Sequence, residues 1–186
     1  MTNSDNAPVL NRHVTLVGLM GVGKTTIGRR LARRLNADFA DADEEVERAA
    51  GRSVSEIFAD FGEAAFRDGE RKVIARLLEE PAPMIIGLGG GAFINDETRA
   101  LIKAQAISVW LKADLEVLVE RVSRKPGARP LLAQGAPAEI MARLESERSP
   151  IYAQADIVVD TSVGSHEQSA DQVLDALAQY QDSYAR

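Results

Sequence analysis

Cysteine is absent from this 186-residue chain. That excludes disulfides, thiolate nucleophiles and cysteine-based metal sites, and it suits a reducing, cytoplasmic compartment. Histidine occurs twice, as His13 and His166, too few to build a histidine metal cluster. Long apolar runs are missing too: none approaches the roughly 18 residues of a membrane span. The first eleven residues lack the basic start and apolar core of a signal peptide. Net charge is −6, so no basic surplus points to nucleic acid or an anionic membrane. These shortages predict a soluble cytoplasmic protein, taken as a monomer, with small-molecule partners and neither nucleic acid nor membrane. Hydrophobic residues make up 45% of the chain, which is ordinary for one globular domain of about 100–200 residues. A single domain over residues 1–186 is expected, with 1–12 a polar, disordered tail.

What is present announces itself at residues 13–35, which read strand, glycine-rich turn, helix. Val14, Leu16 and Val17 make a short apolar run that suits a buried parallel strand. Gly18-Leu19-Met20-Gly21-Val22-Gly23-Lys24-Thr25 then matches the phosphate-binding loop G-x-x-x-x-G-K-[ST] in full. Ile27, Leu31 and Leu35 repeat every four residues behind it and give the helix one apolar stripe. Glycines let successive backbone N–H groups turn into one concavity at a helix N-terminus, where phosphate oxygens are held. Gly21, Val22, Gly23, Lys24, Thr25 and Thr26 are the expected nucleotide contacts. Lys24 reaches the β- and γ-phosphates and the Thr25 hydroxyl ligates Mg²⁺.

Downstream, short apolar segments alternate with helical ones. Residues 37–40 read as a second strand ending at Asp41-Ala42-Asp43, followed by a helix over 44–50 that Gly51 stops. Ser53 and Glu56 form a capping-box pattern for a short helix broken at Gly62; a longer helix follows over 63–78. Strands are expected at 84–86, 107–111 and 157–159, and helices at 96–103, 115–122, 137–147 and 168–180. Residues 123–136 carry Pro126, Gly127, Pro130 and Gly135 among several cations, and read as a mobile lid. The alternation predicts an α/β, three-layer P-loop NTPase fold: a five-stranded parallel sheet with helices on both faces.

Several clusters fall at the carboxyl ends of strands, where open α/β sheets bind ligands. Asp41 and Asp43 stand two apart at a strand end, so both side chains can point into one cleft. The same pair also fits a helix cap, since Asp41 precedes Glu44 by three. Gly89-Gly90-Gly91 leaves bare N–H groups after a buried strand. Arg67, Arg129 and Arg148 are solitary cations that carry little meaning one at a time.

As an ordered set they carry a great deal. GLMGVGKTTIGRRLA, DAD, SVSEIFADFGEAAFRDGE, GLGGGAF, VWL, RPLL and ERSPIY together closely resemble the shikimate kinase family, over about residues 13–160. The resemblance implies transfer of the γ-phosphoryl of ATP to the 3-hydroxyl of shikimate, in aromatic amino acid biosynthesis. It implies that Asp43, Arg67, Gly89, Gly90, Gly91 and Arg148 hold shikimate. Asp41 would join Thr25 around Mg²⁺, Arg129 would reach the phosphates from the lid, and Arg121 would lie near the adenine. The family's basic adenine-flanking segment after the last strand is here Thr161-Ser162-Val163-Gly164-Ser165, without an arginine.

The residue types agree with this chemistry on their own terms. Arg67 and Arg148 could grip an anionic hydroxy acid through its carboxylate. Asp43 is the available acceptor for a hydroxyl proton, and Lys24, Arg129 and Mg²⁺ supply charge neutralisation. Asp43, Lys24 and Arg129 are therefore the expected catalytic set. Another small P-loop kinase, acting on gluconate or a nucleoside monophosphate, is the alternative. A GTPase switch would want N-K-x-D, where this chain has Leu111-Lys112-Ala113-Asp114.

Overall fold

The computed structural model describes residues 8, 10–124, 132 and 135–184. Among these, five strands form one all-parallel sheet: β1 (His13–Val17), β2 (Asp38–Asp41), β3 (Met84–Gly87), β4 (Ala106–Lys112) and β5 (Ile157–Asp160). Their spatial order is β2-β3-β1-β4-β5. All five residues of β1 are buried, as are the first six of β4, which is what strands covered on both faces require. Val14 is in register with Ile85 on one side and Ile107 on the other. Each such buried aliphatic side chain contributes about 1.5–3 kcal/mol relative to exposure. The strands at the two edges are partly exposed.

Among the described residues seven α-helices connect and cover the sheet: α1 (Lys24–Leu35), α2 (Ala42–Ala50), α3 (Val54–Glu79), α4 (Asp96–Gln105), α5 (Leu115–Ser123), α6 (Pro137–Tyr152) and α7 (His166–Tyr184). Local chemistry sets their ends. Ser53 Oγ accepts from the Glu56 N–H at 3.2 Å, while the Ser53 N–H donates to the Glu56 carboxylate at 2.7 Å, closing the expected capping box of α3. Gly51 ends α2 in the left-handed region. Gly62 takes φ 81° and ψ 171° and kinks α3, so the short and long helices of the sequence pattern meet end to end. Beyond the kink, α3 buries Phe66, Glu70, Val73, Ile74, Leu77 and Leu78, one stripe at helical spacing.

Several boundaries differ from the sequence expectation, and those of β2, α2 and α6 matter to the site. Strand β2 starts at Asp38 and takes in Asp41, and α2 begins at Ala42. Asp41 and Asp43 therefore do not share a strand face: Asp41 closes the strand and caps the helix, and Asp43 sits in its first turn. Helix α6 does not stop at Glu147 but carries Arg148 and Tyr152 on its last turn, with Pro150 inside it. A proline this close to a helix end removes one N–H, and the Ser149 carbonyl still accepts from Ala153 at 2.9 Å. Helix α7 runs longer at both ends than residues 168–180. The expected lid at 123–136 falls largely outside the described residues, as does Arg129.

Register brings the functional segments to one end of the sheet. Asp41 pairs with Gly87, and Gly87 with Leu16, so the DAD segment, the triple glycine and the phosphate loop leave adjacent strands side by side. The Leu88 N–H donates to the Leu16 carbonyl at 3.1 Å and ties the second of these to the third. Strand β1 has β3 on one flank and β4 on the other. A crevice opens at such a point beyond the carboxyl ends.

Candidate active site

The phosphate loop wraps the start of α1. Gly18, Gly21 and Gly23 all have positive φ, at 144°, 83° and 98°, a path that side chains with a Cβ resist. Gly23 is the N-cap of α1 and offers no side chain to it, and the helix has no acidic residue in its first turn. The first N–H groups of α1 thus lack side-chain acceptors and suit an anion. Lys24 Nζ donates to the carbonyls of Gly18 at 2.8 Å and Leu19 at 3.0 Å, which curls it over the loop. Thr26 lies in the same first turn. Arg121, on the last turn of α5, donates to the Gly21 carbonyl at 3.4 Å and so flanks the loop on the β4 side.

Thr25 and Asp41 meet across the first two loops. Thr25 Oγ1 donates to Asp41 Oδ2 at 2.7 Å, while Asp41 Oδ1 accepts from the Asp43 N–H at 3.1 Å. The capping and ligand readings of Asp41 are therefore not rivals, because one oxygen caps α2 and the other faces Thr25. A hydroxyl and a carboxylate are hard oxygen donors, and such a pair fits Mg²⁺ completed by phosphate and water oxygens. Among the described residues no cluster of three or more His, Asp or Glu forms a metal cage of its own.

The second half of the site is built against the triple glycine. A Cβ placed on Gly89 would lie 2.6 Å from Asp43 Oδ1 and 2.5 Å from Glu70 Oε1. One on Gly90 would meet Arg148 Nη1 at 3.0 Å, with the Gly18 carbonyl and the Tyr152 hydroxyl each at 3.7 Å. One on Gly91 would strike the Arg67 guanidinium at 2.5 Å. Bare backbone here lets two carboxylates, two guanidiniums and a phenol close around one strip of chain. That strip adjoins the phosphate loop through Gly18.

Electrostatics inside this pocket are set by burial. Glu70 is 1% exposed, and its Oε2 accepts from Arg67 Nη1 at 2.6 Å. Its other oxygen, Oε1, is buried with no hydrogen-bond partner among the described residues. Burial pushes the Glu70 carboxyl above the usual carboxylate range and Asp43 adds to the push, while Arg67 and Arg148 oppose it. Burial likewise raises the Tyr152 phenol, whose hydroxyl donates to the Gly90 carbonyl. Arg67 feels burial in the opposite sense, but Glu70 and Glu63 outweigh it and hold the guanidinium more firmly charged. Its charge also lies 5.0 Å from the centre of the Phe66 ring.

The structure thus brings Asp43, Arg67, Gly89, Gly90, Gly91 and Arg148 into one pocket. Lys24, Thr25 and Asp41 lie on its loop side, and Arg121 flanks the loop. Two members stand inside the quoted motifs but are given no part in the site by the sequence reading. Glu70 follows Arg67 by three, one helical turn, which is the signal that could have found it. Tyr152 follows Arg148 by four, but only a helix continued through Pro150 puts the two on one face.

A nucleotide loop joined to a pocket of paired guanidiniums and carboxylates, on a 2-3-1-4-5 parallel sheet, defines a P-loop kinase for a small anionic acceptor. The shikimate kinase family model matches residues 20–178. A shikimate kinase of Caulobacter vibrioides is 54% identical over 179 residues, 96% of this chain and 88% of the relative. The chain belongs to the shikimate kinase family. The solved structure of a shikimate kinase from Acinetobacter baumannii in complex with shikimate matches with a TM-score of 0.86 at 32% identity, covering 92% of this chain and 95% of that one. A gluconokinase from Sinorhizobium meliloti matches with a TM-score of 0.67 at 16% identity, covering 95% and 98%, and shares the fold alone.

Proposed function

We propose that the two halves of the cleft divide one phosphoryl transfer between them, nucleotide on the loop side and shikimate against the triple glycine. The reaction is that of the family: the γ-phosphoryl of ATP passes to the 3-hydroxyl of shikimate, giving shikimate 3-phosphate and ADP. The observation that carries this division is the convergence of Asp43, Arg67, Glu70 and Arg148 on Gly89-Gly90-Gly91, with the Gly18 carbonyl beside them.

Each residue has a chemical reason for its part. Arg67 and Arg148 grip the shikimate carboxylate, and Glu70 keeps Arg67 oriented from behind. The glycine backbone admits the ring where a Cβ would exclude it. Asp43 accepts the proton as the hydroxyl oxygen bonds to the γ-phosphorus and the bond to the β-phosphate oxygen breaks. Gly21 to Thr26 cradle the phosphates, Lys24 swings from its loop carbonyls to the transferring group, and Arg121 lies along the adenine. Arg129 adds a positive charge against the phosphates, the role the family resemblance implies for it. Thr25 and Asp41 would hold Mg²⁺, which neutralises phosphate charge when bound. The enzyme works in the cytoplasm, which the cysteine-free composition suits, and as a monomer. Among the described residues no helix is long and apolar enough to cross a membrane.

The test is product formation. Purified protein with ATP and Mg²⁺ is offered shikimate, gluconate and nucleoside monophosphates in turn. Phosphorylation of shikimate alone supports the assignment, and preference for any other acceptor overturns it.

A further inference from the structure

The phosphate loop has a neighbour that the phosphoryl transfer leaves without a task. His166 is the first residue of α7, and its ring lies against the loop. A Cβ on Gly23 would sit 2.9 Å from both Cδ2 and Nε2 of His166, so the Nε2 edge of the imidazole faces the last glycine of the loop. This placement is built, not incidental. Thr161 donates its N–H to the Lys112 carbonyl at 2.6 Å and pins the segment ahead of α7 to the end of β4. Ser165 and Gln168 then cap α7 reciprocally: the Ser165 N–H donates to Gln168 Oε1 at 2.8 Å, and Ser165 Oγ accepts from the Gln168 N–H at 3.2 Å. Arg30 of α1 donates to Glu167 at 2.9 Å, and Arg34 holds both Glu167 and Asp171. Three anchors therefore fix His166 against Gly23.

The charges around the ring are of one sign. Arg121 faces it from α5 and Arg30 from α1, and Lys24 follows Gly23 on the loop itself. The one acid beside it on its own helix, Glu167, is already taken by Arg30 and Arg34. Burial and the two guanidiniums hold the imidazole below its ordinary range, so the pocket without phosphates keeps it neutral near pH 7. Polyphosphate on the loop reverses that balance, because its negative charge lands among the same cations and favours the imidazolium.

We infer that His166 is a nucleotide-contacting residue of this site, and that its imidazole takes up a proton as the anionic phosphates settle on the loop beside it. This rests on the nucleotide reading of the loop and deepens it. The segment Thr161-Ser162-Val163-Gly164-Ser165 has no arginine, and the histidine that follows supplies a cation in its place, conditional on nucleotide and on pH. Linkage gives the sign: the bound state holds more protons than the free state, so nucleotide affinity falls as pH rises through the range of the bound imidazole.

Isothermal titration of the full chain with ADP in excess Mg²⁺, near pH 7, in two buffers of different ionisation enthalpy, counts the protons taken up. Wild type should take up a fraction of one proton per ADP bound, and His166→Asn and His166→Phe none. At pH 6.5 the variants should bind ADP about tenfold more weakly, the size of one charge-assisted hydrogen bond. The gap should close by pH 8.5. Shikimate affinity should stay unchanged. A wild type that binds ADP with the same proton count and pH slope as both variants overturns the role of His166 and leaves the loop reading intact. A wild type that binds no ADP at all overturns both. Should either variant melt early, the wild-type proton count decides by itself.

Discussion

Glu70 and Asp43 aim carboxylate oxygens at the same point in space, the place a Cβ on Gly89 would occupy, 2.5 Å from one and 2.6 Å from the other. Residues 27 apart in sequence are brought there by α3 and α2, and the bare backbone of Gly89 is what allows it. Gly89→Ala must therefore push one carboxylate away. Its backbone is not in the left-handed region, so the penalty is steric and local, about 1–3 kcal/mol as for other overpacking. Calorimetric titration should show shikimate affinity lost by a factor of that order, with ADP affinity unchanged. Equal loss of both would place Gly89 in the general scaffold.

Arg67→Lys keeps a charge and loses the planar fork. Shikimate binding should weaken by about 1–3 kcal/mol, as for a hydrogen bond to a charged group, while ATP binding holds. Separate titrations of the two ligands read this out. A matching loss of ATP affinity would move Arg67 to the nucleotide side.

Glu70 offers a test through pH. Burial, first, and Asp43, second, raise its carboxyl above the ordinary glutamate value against the pull of Arg67 and Arg148. A carboxyl raised on folding keeps its proton longer in the native state. Stability therefore declines as pH climbs from the ordinary glutamate value through the raised one. Glu70→Gln lacks this titration. The unfolding free energy of wild type minus that of the variant, from urea melts, should drop across that window. Parallel curves would contradict the assignment.

Much of this was legible in the sequence, and the reasons are local. The phosphate loop, the capping box of Ser53 and Glu56 and the break at Gly62 are dictated by residues a few positions apart. The parallel sheet follows from the alternation of short apolar runs with helices. The pocket lay hidden where distance in sequence mattered. Glu70 reads as a solvated helix residue until α3 is packed, and His166 as a polar residue ahead of the last helix until α7 is docked on α1. Pro150 signals a helix end, but the structure carries the helix through to Tyr152, which is buried with its hydroxyl on Gly90. The two readings of Asp41 could not be separated in sequence because one of its oxygens caps α2 while the other faces Thr25.

Ser53→Ala supplies a control remote from the chemistry. Losing the cap of α3 should cost about 0.5–2 kcal/mol of stability, seen as a lower melting temperature. Turnover below the melt should be unchanged, because the kink at Gly62 separates the capped segment from Arg67 and Glu70.

The proposed parts of Asp43, as acceptor of the hydroxyl proton, and of Asp41, as a ligand to the metal, are separated by one experiment. Turnover of Asp43→Asn and Asp41→Asn is measured across a titration of free Mg²⁺, with thermal melts to show that both fold. Asparagine caps a helix about as well as aspartate, so α2 is preserved in each. Asp43→Asn should lose roughly 10²–10⁴ in turnover at every Mg²⁺ concentration, the usual contribution of a general base. Asp41→Asn should lose activity that partly returns as Mg²⁺ is raised. Near-normal turnover in both, with unchanged melting, would show that the DAD segment only caps a helix.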